Sequence, residues 1–294
     1  MQDGVRANSE FRLLMKNDRF SRKGHAVSNE QTSSVEQQNQ LVSKLQYGIK
    51  NDELSLHYQP RFDTVTGKAD VLEALVRWYE PGVGLFYPEV FISPAEENGL
   101  IFTLDLWVFE QCCKDLSQLQ QTINPNIKIA VNISVLTCES IYYAQKIIEI
   151  SEKHNVSLLD FEFEITEAKR VHDVRKVVAF CETLKNYGAT FALDDFGSGQ
   201  SSLLNLQKLP VSTVKIDQHF VQKIGECDRS ETIIRGLVRM IKELGMQSVA
   251  EGIETEEQYW FMRDVGCDQL QGFLLGRPLK FMQLKTQTLE DPVL

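Results

Sequence analysis

The chain has 294 residues, of which 43% are hydrophobic and 24% charged, and its formal net charge is −10 at pH 7. This length suits one large α/β domain, or a smaller domain with an extension, and it can bury a large core without disulfides. The acidic balance excludes the basic surface of a non-specific binder of nucleic-acid duplexes and disfavours docking on anionic membranes. A small anionic substrate remains compatible, because local cations can reverse the field in one cleft.

The six cysteines give information about the compartment. No two of them form a Cys-x-x-Cys pair, so neither a zinc site nor a thioredoxin-like motif is indicated. Scattered cysteines in a chain of this size fit a reducing environment. The sequence contains no stretch of about 18 apolar residues and no apolar run after Met1. We therefore predict a cytoplasmic protein without a membrane span.

Residues 1–40 differ from the rest of the chain in composition. They are rich in Ser, Asn, Gln, Lys and Arg, which predicts a disordered tail or linker. We expect the folded domain to cover residues 41–288, followed by a C-terminal tail at 289–294. A short helix introduces this domain, and its apolar face is formed by Leu41, Leu45 and Ile49.

Strand-like segments alternate with helix-like segments along the domain. The strand-like segments are Leu54–Gln59, Val71–Trp78, Ile127–Ile133, Phe161–Ile165, Thr190–Leu193, Thr213–Ile216, Ser248–Ala250 and Gln269–Leu270. Eight strand–helix units over about 250 residues are typical of a TIM-like (β/α)8 barrel. An open, doubly wound sheet is the alternative, and the absence of a G-x-G-x-x-G motif after an early strand weakens it.

Polar residues recur at the ends of these predicted strands, where a buried strand normally avoids them. They are Glu73, Asn132, Glu164, Asp194, Asp195, Lys215, Asp217, Glu251 and Gln271. The C-terminal ends of barrel strands converge on one mouth, so we expect these side chains to lie together. A single acidic residue at a strand end is usually a helix cap or a loop residue. The joint pattern instead indicates a site in which a cation offsets the buried charge.

The donor atoms in this set are oxygens only, without paired histidines or cysteines. Carboxylate and amide oxygens suit Mg²⁺, Mn²⁺ or Ca²⁺ better than Zn²⁺ or Cu²⁺. The neighbours Asp194 and Asp195 can share one centre only where a strand ends, because successive strand residues point to opposite faces. The Phe-Gly-Ser-Gly run that follows supplies such an ending. A bridged two-metal site is therefore plausible.

Short motifs in a fixed order connect these positions to a known family. They are Tyr58-Gln59-Pro60, Glu73-Ala74-Leu75-Val76-Arg77-Trp78, Val131-Asn132-Ile133-Ser134, Glu164-Ile165-Thr166-Glu167, Asp194-Asp195-Phe196-Gly197-Ser198-Gly199, Lys215-Ile216-Asp217, Ala250-Glu251-Gly252-Ile253-Glu254 and Gln271-Gly272-Phe273. From about Gln46 to Leu284 the chain resembles an EAL-domain c-di-GMP phosphodiesterase. A single tripeptide carries little information, whereas this many motifs in one order are specific.

The resemblance implies a fold and a reaction. The expected fold is a modified (β/α)8 barrel whose first strand runs antiparallel to the others. The expected reaction is metal-dependent hydrolysis of cyclic di-GMP to linear 5′-pGpG. The cofactors would be two ions of Mg²⁺ or Mn²⁺, and Ca²⁺ is expected to inhibit because its coordination is longer and looser. The expected assembly is a homodimer.

The resemblance also implies residue roles. The metal ligands would be Glu73, Asn132, Glu164, Asp194 and Asp195. Lys215 would lie near the attacking water, Glu251 would be the general base, and Glu167 would link the Asp-Asp-Phe-Gly loop to the dimer interface. The dinucleotide would be contacted by Gln59, Leu75, Arg77, Asp217, Glu254 and Gln271. One departure from the family pattern is Arg61, where an apolar residue is usual; such departures put fine substrate contacts and loop dynamics in question, but not the chemistry.

Two other functions fit parts of these observations. A catalytically silent c-di-GMP receptor or protein-interaction module would share the fold, but silent members should lack a metal ligand or the base, and this chain keeps all of them. An unrelated barrel enzyme, such as a metal-dependent aldolase, would share the acidic barrel mouth but not the ordered motifs. We therefore expect an active phosphodiesterase.

Overall fold

The computed structural model describes residues 27–166, 173–197, 203–284 and 290–293. The chain forms two compact units. The smaller unit contains Met1–Ser55 and Val76–Leu100, and the larger contains Leu56–Leu75 and Ile101–Leu294. The predicted coupling residue Glu167 lies outside the described residues.

The smaller unit contains helix α1 (Val27–Lys50), strand β3 (Gly84–Phe86), helix α2 (Pro88–Glu97) and the C-terminal part of strand β2 (Ala69–Glu80). Its core is built around Trp78, which is fully buried. The Trp78 ring stacks on Phe86 at 4.9 Å between centroids and meets the edge of Phe91 at 6.0 Å. Its indole Nε1 donates to Glu53 Oε2 at 3.1 Å, so the polar atom of the ring is also satisfied.

Helix α1 begins earlier than the composition predicts. It includes residues 27–40, which the composition assigns to a tail or linker, while residues 1–26 of that predicted segment lie outside the described residues. Leu45 and Ile49 are buried and fix the C-terminal half of α1 in the smaller unit. Once a helix is nucleated there, extending it through Gln- and Glu-rich sequence costs little, because these residues favour helix and each adds a backbone hydrogen bond.

The larger unit contains a closed barrel of eight strands among the described residues. They are β1 (Leu54–Asp63), β2, β4 (Lys128–Ile133), β5 (Phe161–Thr166), β6 (Thr190–Phe196), β7 (Thr213–Ile216), β8 (Gln247–Ala250) and β9 (Gln269–Leu270). From β2 and β4 through to β9, neighbouring strands pair in parallel. Strand β1 pairs antiparallel with β9, with Phe62 opposite Leu270, and its pairing with β2 closes the barrel. The predicted barrel and its antiparallel first strand are confirmed.

Helices follow the strands around this barrel. They are α3 (Ile101–Thr122), α4 (Val135–Cys138), α5 (Ile141–Lys153), α6 (Val174–Lys185), α7 (Leu203–Lys208), α8 (Gln218–Val221), α9 (Asp228–Glu243), α10 (Glu256–Asp264) and α11 (Phe281–Leu284). Left-handed glycines follow three of them, Gly188 (φ 97°), Gly245 (φ 72°) and Gly266 (φ 83°), a conformation that commonly ends a helix. Pattern alone did not predict the four-residue helices α4, α8 and α11 or the short strands β3 and β10 (Leu279–Lys280), because they are too short to show a period.

Alternation along the strands separates an apolar shell from a charged interior. On β5, Phe161 and Phe163 point towards the helices, where both rings contact Phe109 at centroid distances of 5.0 and 5.5 Å. The intervening residues, Glu162 and Glu164, point into the barrel and are also buried. The period of two therefore places carboxylates inside the barrel without breaking its apolar outer core.

The C-terminal residues are attached to the larger unit. Lys68 forms a β-bridge with Glu290, and Asp291 N donates to Gly67 O at 2.8 Å. The buried Asp291 carboxylate also accepts from Tyr259 Oη at 2.7 Å. The predicted C-terminal tail is thus packed on the domain over residues 290–293. In the described part of the chain, no helix combines the length and the apolar character needed to cross a bilayer.

A buried carboxylate braces the loop after β4. Asp105, on α3, accepts from Thr137 Oγ1 at 2.6 Å and from Ser134 N at 3.1 Å through the same oxygen. Burial raises the pKa of Asp105 to about 7, although these two hydrogen bonds act in the opposite direction. The folded state thus binds this proton more tightly than the unfolded chain, and stability falls as the pH rises from about 4 to 7.

Replacing Asp105 with Asn should flatten this part of the pH dependence. One pKa unit corresponds to about 1.36 kcal/mol, so the wild-type chain should lose roughly 2–4 kcal/mol more than D105N between pH 4.5 and pH 8. Urea unfolding at both pH values, with chelator present, measures the difference. The exposed Asp264→Asn variant is the control and should follow the wild-type profile. Parallel profiles for wild type and D105N would contradict the assignment.

Candidate active site

The barrel mouth gathers the strand-end residues that the sequence predicts. Strand register places Asn132 on β4 beside Glu164 on β5, and Thr166 beside Asp194 on β6. Lys215, on β7, is 1% exposed and lies in the middle of the group. The prediction that these side chains lie close together agrees with this geometry.

Lys215 contacts four carboxylates at once. Its Nζ lies 2.7 Å from Glu164 Oε2, 2.8 Å from Glu251 Oε1, 3.0 Å from Asp194 Oδ1 and 3.6 Å from Glu73 Oε2. Four carboxylates around one ammonium leave an excess of three negative charges when all are ionised. Such an excess in a buried place requires bound protons or further cations.

A chain of side-chain amides fixes Glu73. Gln271 Nε2 donates to Glu73 Oε2 at 2.6 Å and to Gln59 Oε1 at 3.2 Å, and Gln59 Nε2 donates to Gly276 O at 2.9 Å. On the other side, Asn132 Nδ2 donates to Glu73 Oε1 at 2.7 Å. Among the described residues, nothing donates to the Asn132 carbonyl oxygen in this orientation, so it can accept a hydrogen bond or ligate a cation.

The neighbours Asp194 and Asp195 face one centre through an irregularity in β6. The pairing of β6 with β7 shifts register between Leu193 and Phe196, and Asp195 adopts a left-handed backbone with φ 56°. Carboxylate oxygens of Asp194, Asp195 and Glu251 therefore lie within 4.8 Å of one another. The sequence predicts that the strand ends here, whereas the structure continues it to Phe196 and turns it with a bulge.

Helix α8 supports the two loops that carry Asp195 and Glu251. The Phe220 ring packs directly on the backbone of Gly197, where any side chain would collide with it. A Cβ on Gly252 would lie 2.6 Å from Gln218 Cβ, and Gly252 also has a left-handed φ of 71°. Both glycines have a left-handed φ, 97° at Gly197 and 71° at Gly252, and both lie close to α8, so α8 lies against both loops.

The pKa values of the carboxylates reflect this crowding. Burial and the charges of Asp194 and Glu73 raise the pKa of Glu251 to about 8, against the opposing effect of Lys215. Burial, then Asp194 and Asp217, raise the pKa of Asp195 to about 6. Burial opposes ionisation of Glu73 too, but Lys215 and the donors Gln271 and Asn132 outweigh it and lower the pKa. The site therefore holds protons near neutral pH when no other cation neutralises it.

These residues fit a divalent cation. The donors are carboxylate oxygens and one amide oxygen, which is the ligand set of hard cations. Glu73, Asn132, Glu164 and Asp194 could hold one ion, and Asp195 lies close enough to Asp194 to help hold a second, beside Glu251. The expected ion is Mg²⁺ or Mn²⁺.

A second charged layer lies beneath this group, and sequence reasoning missed it. Arg61 is 2% exposed and pairs with Glu162 Oε1 at 2.6 Å and with Glu164 Oε1 at 3.4 Å. Thr213 Oγ1 donates to Glu162 Oε2 at 2.7 Å. Arg61 thus lies inside the barrel, so its predicted bearing on fine substrate contacts has no support in this geometry. The signal was available: Glu162 and Thr213 precede Glu164 and Lys215 by two residues and share their faces.

The other predicted site residues are placed differently. Asp217 is buried. Its Oδ1 accepts a hydrogen bond from His219 N at 2.8 Å, and His219 Nδ1 lies 2.6 Å from the same oxygen. Leu75 is half-buried, whereas Glu254 is exposed and only its backbone N–H bonds to Gln258 Oε1, at 2.8 Å. Arg77 belongs to the smaller unit, where its guanidinium lies 5.1 Å from the centroid of the Tyr87 ring.

An α/β barrel with a carboxylate cluster at the C-terminal ends of its strands defines a class of metal-assisted enzyme sites. Comparison with known proteins identifies the family: the EAL domain matches residues 42–278, and the chain belongs to the EAL domain family.

Named relatives are about one-third identical to this chain over the aligned residues. The cyclic di-GMP phosphodiesterase NbdA of Pseudomonas aeruginosa is 34% identical over 249 residues, covering 85% of this chain and 32% of the relative. The cyclic di-GMP phosphodiesterase PdeR of Escherichia coli is 34% identical over 241 residues, covering 81% of this chain and 36% of the relative. The chain therefore spans about a third of the length of these relatives.

A solved structure agrees in fold. The PaMucR phosphodiesterase in complex with c-di-GMP superposes with a TM-score of 0.78 at 34% identity. The match covers 83% of this chain and 99% of that one.

Removing the central ammonium should destabilise the metal-free protein in a pH-dependent manner. In Lys215→Met the four carboxylates lose their cation, so the folded state must bind more protons than the wild type. Its stability should therefore fall more steeply as the pH rises towards 8. We expect a loss of about 3–5 kcal/mol at pH 8 and less at pH 5.5, measured by urea unfolding in chelator.

Lys128→Met is the matched control. Lys128 is half-buried on β4 at the opposite end of the barrel and forms no ion pair in the described part of the chain. Its loss should be smaller and independent of pH. An equal loss for K215M at the two pH values would contradict the described role of Lys215.

Proposed function

We propose that this chain hydrolyses cyclic di-GMP to linear 5′-pGpG with the help of divalent metal ions. The observation that carries the proposal is the carboxylate cluster around Lys215 at the mouth of an EAL barrel. The cluster contains the residues to which the family resemblance assigns the roles of metal ligands, base and lysine, and this supports the proposal. Relatives of about 34% identity are named cyclic di-GMP phosphodiesterases, which supports the same substrate for this chain.

Binding of the dinucleotide is proposed to use the polar wall beside Glu73. Gln271 Oε1 is buried and has no hydrogen-bond partner in the described part of the chain, so it can accept from a guanine N–H. Gln59 lies next to it and holds its amide in place. Leu75, Arg77, Asp217 and Glu254 remain predicted contacts, of which the exposed Glu254 has the weakest geometric support.

The proposed reaction breaks one P–O3′ bond and forms one bond from phosphorus to a water oxygen. Glu251 accepts a proton from the attacking water, and the 3′-oxygen takes up a proton from solvent. Lys215, 2.8 Å from Glu251, orients the carboxylate and stabilises negative charge that develops at phosphorus. When bound, divalent cations lower the pKa of water and offset charge on the phosphate.

The cellular setting is also part of the proposal. We propose a cytoplasmic homodimer in which Mg²⁺ or Mn²⁺ serves as the cofactor. Since the chain covers about a third of its curated relatives, the activity of a longer protein would depend on other domains as well. A silent receptor would bind c-di-GMP at the same mouth without turnover, so turnover is the deciding property.

Replacing the proposed base should separate chemistry from binding. Glu251→Gln keeps the shape of the side chain but cannot accept the proton. We expect kcat to fall by roughly 10²–10⁴-fold, the usual range for a general base, while the Kd for c-di-GMP changes by less than about threefold. Chromatographic separation of c-di-GMP and pGpG gives kcat, and calorimetry in Ca²⁺ gives Kd.

The exposed Glu256→Gln on α10 is the matched control and should keep wild-type rates. A near-normal kcat in E251Q would refute the assignment of the base. Binding of c-di-GMP without any pGpG from the wild-type chain would instead identify a receptor.

The choice of cation should decide the rate. We expect pGpG formation with Mg²⁺ and Mn²⁺, none with chelator, and inhibition when Ca²⁺ is added to the Mg²⁺ enzyme, because Ca²⁺ prefers longer bonds and higher coordination numbers. Steady-state assays across a metal series test this. Full activity in Ca²⁺ alone, or in chelator, would contradict the proposed site.

A further inference from the structure

Arg61 connects the two charged layers inside the barrel. It lies on the antiparallel strand β1, and its terminal nitrogens reach two carboxylates on β5 that are two residues apart. Nη2 lies 2.6 Å from Glu162 Oε1, and Nη1 lies 3.4 Å from Glu164 Oε1. Arg61 Nε has no partner in the described part of the chain, so the terminal nitrogens make both ion pairs.

The two ion pairs are unequal, and Glu162 explains the difference. Its Oε1 binds Arg61 closely, and its Oε2 accepts from Thr213 Oγ1 at 2.7 Å. Both oxygens of Glu162 are therefore used, and the side chain is fixed between β1 and β7. Because Glu162 holds the Arg61 guanidinium towards the lower layer, the guanidinium stays farther from Glu164 than from Glu162.

This arrangement defines what each oxygen of Glu164 can do. Oε1 faces the guanidinium, while Oε2 faces Lys215 at 2.7 Å and the other carboxylates. In the described part of the chain, Arg61 pairs with Glu162 in the lower layer and with the inner oxygen of Glu164, whereas Lys215 is shared among four carboxylates at the mouth. The geometry therefore fixes the rotamer of Glu164 and leaves its outer oxygen for the site.

We propose that Arg61, anchored by Glu162, is a positioning residue that orients Glu164 for binding a divalent cation. Glu162 has a second effect in this arrangement: without it, the guanidinium would move onto Glu164 and compete with the cation for the carboxylate. Groups that hold a metal ligand in place commonly change metal affinity by about 10–100-fold when they are removed. The inference rests on the proposed metal site but concerns affinity, not turnover.

The test is the Kd for Mn²⁺, measured by calorimetry or by electron paramagnetic resonance in the absence of c-di-GMP. We expect Arg61→Met and Glu162→Gln each to raise Kd by roughly 10–100-fold. Arg61→Lys keeps the positive charge but cannot contact both carboxylates through separate nitrogens of one planar group, so its Kd for Mn²⁺ should lie between those of wild type and R61M. In the double variant the two effects should be less than additive, because Glu162 acts only through Arg61.

A purely structural role for Arg61 has a separate control. Tyr58→Phe removes another hydrogen bond of the larger unit, which the fully buried Tyr58 donates from its Oη to Asp115 Oδ2 at 2.7 Å, away from the carboxylate cluster. It should lower the melting temperature without changing the Kd for Mn²⁺. At saturating Mn²⁺, R61M should regain kcat within about threefold of wild type, with KM for c-di-GMP unchanged, as expected when only metal affinity is lost.

Several results would overturn the inference. Wild-type Mn²⁺ affinity in R61M, or in R61K and E162Q if R61M does not fold, would show that Arg61 only supports the barrel. Additive effects in the double variant would show that Glu162 acts independently. Failure of the wild-type chain to bind Mn²⁺ would refute the metal site and with it this inference. Arg61-dependent Mn²⁺ binding without hydrolysis of c-di-GMP would refute the proposed function alone and support this inference.

Discussion

The contact between one buried ammonium and four carboxylates is the constraint on which the rest of this structure depends. Lys215 Nζ is within 4.0 Å of Glu73, Glu164, Asp194 and Glu251, and all five side chains come from different strands or strand ends of one barrel. No single cation can neutralise this group, and burial makes the remaining charge costly. Electrostatic repulsion among these carboxylates therefore destabilises the barrel mouth. The raised pKa values of Glu251 and Asp195 reflect this repulsion together with burial. A site that is unfavourable alone becomes favourable when cations enter it.

The fold delivers these charges through simple strand geometry. Phe161 and Phe163 face the helices and supply the apolar packing of β5, while Glu162 and Glu164 use the alternate positions inside the barrel. Thr213 and Lys215 repeat this spacing on β7. The lower layer therefore pairs Glu162 with Thr213, and the upper layer pairs Glu164 with Lys215. The upper layer faces the mouth, and the lower layer, with Arg61, supports it from within. The same residues therefore contribute to stability and to the site. Substitutions in the lower layer are expected to alter the site although these residues do not contact substrate.

Much of this arrangement follows from the sequence, and the rest depends on three-dimensional pairing. Strand–helix alternation predicts the barrel, and polar residues at strand ends predict the group around Lys215. The resemblance implies the antiparallel β1, which periodicity cannot show because it carries no direction. Asp195 was expected to reach the site at the end of a strand, but a bulge and a left-handed backbone bring it there. The partners of Arg61 lie about 100 residues away in sequence, so only the closed barrel shows that this residue touches Glu164.

The central claim is that the cluster around Lys215 exists to hold divalent cations. Crystals grown with Mn²⁺, with anomalous diffraction data collected at the manganese edge, test it most directly. The account predicts two anomalous peaks at the barrel mouth, among the side chains of Glu73, Asn132, Glu164, Asp194 and Asp195. An anomalous map without peaks, in which Lys215 keeps its four carboxylate contacts in saturating Mn²⁺, would contradict it.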